Sequence, residues 1–218
     1  SLGKLSSERV WKELRTLLKA PDPGRALLWM RQSGVLAAVL PEGEKWGIDS
    51  VAPLIATETA LDWVPDPMLR LMAMVPPDAE RMRALSARLK MSRAEADRLV
   101  KWAQAPVVKP TLAITALERL LYSFGVEPLT DRIRLSLVSA RSRTESDPAA
   151  LTDTAGHSRH LARALKWERP VFPVAGADLI AKGIKPGPEM GAQLAALEER
   201  WVESNFTLGK SALLDVTE

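Results

Sequence analysis

At 218 residues, with 46% hydrophobic and 26% charged residues, the chain has the balance of an ordinary globular protein and enough length to bury a substantial core. No apolar run approaches the roughly 18 residues of a membrane span, and the opening SLGKLSSERV lacks an apolar leader, so a membrane-free, cytoplasmic setting is expected. The absence of cysteine excludes disulfides and thiolate metal or redox sites, and a net charge of +3 with a pI near 9.3 is compatible with a nucleic-acid partner without requiring one.

In chain order, Ser6 or Ser7 can cap a first helix with Val10, Leu14, Leu17 and Leu18 on its apolar face, and Pro21 stops it. Asp22-Pro23 starts a second helix, with Leu27 and Met30 inward and a stop at Gly34. Residues 35–40 read as a short apolar helix or turn, and residues 42–49 as a loop. Residues 50–63 read as a helix with Pro53 in its first turn, and Asp66-Pro67 opens a short one through Met74. Residues 78–89 form the next helix, with Met82, Leu85 and Leu89 inward. Ser92 and Glu95 have the spacing of a capping box for a helix through Gln104.

Residues 105–110, with two prolines, read as a linker. Thr111 then opens a helix lined by Ile114, Leu117, Leu121 and Phe124, which Gly125 ends. Residues 131–143 form a further helix, and Ser146-Asp147-Pro148 begins a long one reaching Trp167, with Leu151, Ala155, Leu161 and Leu165 inward. In residues 170–191, an extended Val-Phe-Pro-Val leads to a short helix ended by Gly183. Pro188 then takes the first position of a longer helix striped by Met190, Leu194, Leu197 and Trp201. A last short helix covers 207–214. Only 107–108 and 171–175 have any strand character, so the chain reads as all-α, a multi-helix array of about ten or eleven helices without significant sheet.

The basic surplus lies mid-chain: from Arg81 to Lys109 there are eight basic residues against two acidic, and from Asp131 to Arg169 eight against five. The 78–104 pair resembles a helix-turn-helix in outline, but a DNA reader needs a dimer and side chains reaching base edges. The sequence shows neither, and DNA is not an expected partner. At 183–191, Gly187 and Gly191 leave a helix start open to an anion, with Lys182 and Lys185 beside it. The same residues equally suit a tight helix–helix turn with solvated lysines. His157 and His160 stand three apart without a carboxylate in zinc-site spacing, so no metal is expected. No phosphate-binding glycine loop occurs. Of the seven tryptophans, Trp11, Trp29, Trp63, Trp102 and Trp201 sit on or beside apolar stripes and read as core, whereas Trp46 and Trp167 read as the exposed pair.

Several spaced stretches carry a family resemblance. Gly176 to Leu194 has the pattern G-x-D-L-x-x-x-G-x-x-P-G-P-x-x-G-x-x-L, residues 5–14 read LSSERVWKEL, residues 20–42 read APDPGRALLWMRQSGVLAAVLPE, and residues 125–140 read GVEPLTDRIRLSLVSA. In order, these resemble the tail, the neck motif E, the neck-to-body passage and a body segment of class II tRNA nucleotidyltransferases, the CCA-adding enzymes and poly(A) polymerase relatives, in their bacterial form. Glu8 and Arg9 match motif E. The Gly-Ser and Asp-x-Asp of the family's catalytic head, and its Glu-Asp-x-x-Arg templating motif, are absent from this sequence.

The resemblance implies the end of a neck and start of a body at 1–42, a helical body at 43–169 and a helical tail at 170–218. It implies tRNA as partner, together with a catalytic head of the parent chain. Mg²⁺ would act in that head, with no cofactor, no catalytic residue and no metal site in this chain, which alone is expected to be inactive. RNA duplex is read mainly through phosphates and 2′-hydroxyls. The expected RNA-binding residues are therefore Arg141, Arg143, Arg159 and Lys166 in the body and Lys182, Lys185 and Gly187 in the tail. The alternative is a helical protein-interaction module of shared ancestry, using an exposed apolar patch in place of basic faces.

Overall fold

The structure, a computed structural model, describes residues 6–43 and 47–215. Among them are thirteen α-helices and no strand, so the fold is all-α. The first seven are α1 (Ser7–Lys19), α2 (Gly24–Gln32), α3 (Val35–Val39), α4 (Val51–Ala60), α5 (Pro67–Met74), α6 (Ala79–Arg88) and α7 (Arg93–Gln104). The rest are α8 (Ile114–Phe124), α9 (Val126–Ser142), α10 (Ala149–Leu165), α11 (Gly176–Ala181), α12 (Pro188–Glu203) and α13 (Lys210–Leu214).

The starts follow local chemistry. Ser6 accepts from the Arg9 N–H, Asp66 from Met68, and Asp78 from Glu80 and Arg81, each satisfying donors the helix cannot. The Ser92–Glu95 capping box forms in both directions. Pro67 and Pro188 occupy first-turn positions, where a missing N–H costs little. Some starts differ from the reading: α8 begins at Ile114 and not Thr111, α13 at Lys210 and not 207, and α9 at Val126, five residues before Asp131. Gly125, at φ 88°, ends α8 and turns the chain directly into α9, and Pro128 sits harmlessly in the first turn.

Two hydrophobic cores form. The first joins Trp11, Leu18, Leu27, Leu54, Met72, Leu85, Leu99 and Trp102 with others from α1 to α7. The second joins Leu117, Leu121, Leu129, Ile133, Leu161, Leu179, Leu197 and Trp201 from α8 to α13. Helix α9 is the hub: it packs on α4, α5, α7, α8 and α10, and its Val138 belongs to the first core while Leu137 belongs to the second. Trp63 packs against both.

Polar clamps hold the helices together. Arg98 on α7 binds Asp131 on α9 at 2.9 Å and also Asp66, the α5 cap. Arg70, 1% exposed, pairs with buried Glu58 at 2.6 Å and donates to the carbonyls of Leu18 and Ala20 at the end of α1. A buried cation of this kind is tolerable only because every face meets an acceptor.

Helix α10 corrects the sequence reading of its inner face. Leu151 and Leu165 are 63% and 57% exposed, and Ala155 is exposed too. The buried set is Ala150, Gly156, His157, His160, Leu161 and Ala164. Small residues let α10 approach its neighbours closely: a Cβ on Gly156 would stand 2.4 Å from the Pro110 carbonyl oxygen. The tryptophans are corrected as well. Trp29 is 63% exposed with Arg25 over its ring, whereas Trp167 is buried. Trp46 and Leu5, the first residue of the neck motif, lie outside the described residues.

Candidate nucleic-acid interface

The cations expected to touch RNA fall in two places. In the body they lie on α9 and α10, which pack along each other. Arg141 stands in the last turn of α9, half-buried, and Arg143 just after it. Arg159 and Lys166 are exposed, the latter capping the end of α10. Only Arg143 faces carboxylates, loosely, at 3.6 Å to Asp147 and 3.7 Å to Asp153. Arg159 leans on the Pro110 carbonyl at 3.4 Å, next to exposed Lys109. Among the described residues no carboxylate lies within ion-pair distance of Lys109, Arg141, Arg159 or Lys166, so their charge remains available to phosphates.

In the tail, α11 ends at Ala181, Gly183 reverses the chain at φ 90°, and α12 starts after Gly187. Nothing lies within 4 Å of a Cβ built on Gly187 or Gly191, so the first turn of α12 is open. Lys185 is exposed beside it. Lys182 donates to the Leu214 carbonyl at the end of α13, and Asp178 accepts from the Ala175 N–H and from Lys210 at 2.7 Å. The corner is thus braced by the last helix, and Glu189 in the first turn of α12 offsets part of its positive end.

The structure adds residues that sequence reading passed over. An open cleft of about 660 Å³ lies on the seam between the two cores, and Arg143 lines it with Lys109, Arg132 and His157. Arg132 lies over the Trp102 ring, 5.2 Å from its centroid, and donates to the carbonyls of Ala103 and Ala105 at the end of α7. Burial lowers its pKa, but a guanidinium stays charged at neutral pH. A signal was present: Arg132, Ser136, Ser139 and Arg143 repeat at helical spacing along α9 and just past its end, a polar stripe.

The two histidines are both buried. His160 is fully buried with Nε2 2.8 Å from the Leu112 carbonyl, and His157 is 6% exposed. Burial lowers both pKa values; at His157 the charge of His160 adds to this and Asp153 opposes it, and at His160 the Leu112 bond opposes it. Both rings are therefore neutral at pH 7. No described helix is long and apolar enough to cross a membrane.

Comparison with known proteins finds related chains. Residues 1–46 match the family described as the probable RNA and SrmB-binding site of polymerase A. The mitochondrial CCA tRNA nucleotidyltransferase 1 of Danio rerio is 28% identical over 218 residues, covering 98% of this chain and 46% of the relative. That of Mus musculus is 26% identical with the same two shares, and that of Homo sapiens 43% identical over 49 residues, or 22% of this chain and 11% of the relative. The chain thus spans about half the length of the curated relatives it matches along its whole course. These similarities support the family to which the spaced motifs pointed, the tRNA nucleotidyltransferases and poly(A) polymerases.

Proposed function

We propose that this chain is the tRNA-binding neck, body and tail of a CCA-adding nucleotidyltransferase, of the bacterial form that its motifs resemble. It holds the tRNA so that the acceptor end reaches a catalytic head domain, which would carry the Mg²⁺ and the chemistry. The chain by itself is inactive in this reading and works in the cytoplasm. The observation that carries it is the set of cations on α9 and α10, Arg141, Arg159 and Lys166, left without acidic partners in a chain similar throughout to enzymes named for tRNA. Contacts of that kind suit phosphates and helix shape, and the A-form shape and 2′-hydroxyls of RNA are what would set it apart from duplex DNA.

Competition measures this directly. Fluorescence anisotropy with labelled tRNA is expected to show binding that unlabelled tRNA displaces and duplex DNA of equal phosphate content displaces at least about tenfold less well. Equal displacement by both would reduce the surface to a general polyanion binder. An absence of tRNA binding at low salt would favour the alternative, a helical module that contacts protein.

A further inference from the structure

The cleft on the seam has more than a phosphate contact needs. Its walls come from the start of α4, the end of α5, the end of α7, the linker at 107–110, and the facing sides of α9 and α10. Met72, Val75, Val108 and Val138 make one part of the wall apolar. Lys109 and Arg132 supply charge that no carboxylate offsets among the described residues. The two carboxylates on the rim are already engaged, Asp49 with Arg31 at 3.4 Å and Asp153 with Arg143 at 3.7 Å. Of eight buried side-chain polar atoms without a hydrogen-bond partner among the described residues, two belong to the cleft wall: Nε1 of Trp102, which is 2% exposed, and Nδ1 of His157. Buried polar atoms are rarely left so unless something else satisfies them.

We infer that this cleft holds one phosphorylated nucleoside unit, and that the unit is an unpaired nucleotide of the bound RNA. The inference rests on the RNA-binding reading above and deepens it. A mononucleotide has the three features the cleft asks for. Its phosphate suits Lys109 and the Nη1 of Arg132, whose Nε and Nη2 hold the carbonyls at the end of α7. Its flat base suits the apolar wall. The edge of the base offers acceptors to the Trp102 N–H and either role to the neutral His157 ring. The cleft volume falls in the range of about 300–1,000 Å³ usual for small-molecule sites. Ser136 and Ser139, on the same face of α9, add hydroxyls that can bond sugar or base.

The test follows the Trp102 indole N–H by NMR, assigned with Trp102→Phe, in the full chain titrated with AMP, CMP, GMP and UMP, then with the matching nucleosides, with inorganic phosphate, and with tRNA. At least one nucleotide is expected to shift that resonance with a Kd at or below about 1 mM, with its nucleoside and phosphate each about tenfold weaker. Ser136→Trp, which fills the cleft, and Lys109→Glu, which reverses an exposed charge, are expected to weaken nucleotide binding about tenfold without changing the fold as read by circular dichroism. tRNA is expected to shift the same resonance. A resonance unmoved by nucleotides to about 10 mM and by saturating tRNA would overturn the inference. If tRNA still binds in that case, the cleft reading falls and the tRNA reading stands. If free nucleotides bind the cleft and tRNA does not bind the chain, the RNA source is overturned and a mononucleotide site remains.

Discussion

His157 and His160 show how one residue type can be legible in the sequence and its role hidden. Their spacing placed both on one helix face. That the face points inward followed only from packing, because α10 presents glycine and alanine where the reading put leucines. Burial depresses both pKa values below that of an unfolded histidine, about 6.5. Between the folded and unfolded pKa the unfolded chain binds more protons, so stability is present in full above pH about 6.5 and falls as pH drops through the folded values. Urea midpoints measured from pH 8 to pH 5 are expected to decline over that window. His160→Gln, whose amide can still donate to Leu112, is expected to flatten the decline relative to its own value at pH 8. An unchanged slope in that variant would remove His160 from the account.

At the scale of elements, the helices with strong end signals were legible almost to the residue. Asp66-Pro67, Asp78, Ser92-x-x-Glu95 and Pro188 each mark an observed start, because a capping side chain and a missing N–H act locally. The start of α9 was not legible: Gly125 serves two helices at once, and its role as an entry was masked by its role as a stop. The inner face of α10 was not legible either, since it is set by a close approach of Pro110 that no periodicity encodes. Gly156→Ala tests that approach. In an ordinary helix interior the change stabilises by about 0.5–1 kcal/mol. Here the Cβ meets a backbone carbonyl that cannot swing away, so urea denaturation is expected to show a loss of about 1–3 kcal/mol. A gain would mean that the linker and α10 are not held so closely.

At the scale of the molecule, the sequence showed an all-α chain with a basic middle but not how that charge is arranged. Part of it is structural: Arg98 and Arg132 hold helix ends and joints, as Arg70 and Lys182 do outside the basic stretches. Arg141, Arg159 and Lys166, without acidic partners at α9 and α10, are what an RNA backbone can use there. The seam cleft was hidden because its walls come from segments separated by up to about a hundred positions, and only the Arg132–Arg143 stripe on α9 hinted at it. The α9–α10 cations also fix the central experiment, which compares tRNA binding across a salt series for the natural chain and for Arg141→Ala, Arg159→Ala and Lys166→Ala combined. Each phosphate contact on a duplex adds about 0.9 to the slope of log affinity against log salt. The combined variant is expected to bind tRNA more weakly at every salt concentration, with a slope shallower by up to about 3. Identical affinity and slope in the two proteins would contradict the assignment of the α9–α10 surface to RNA.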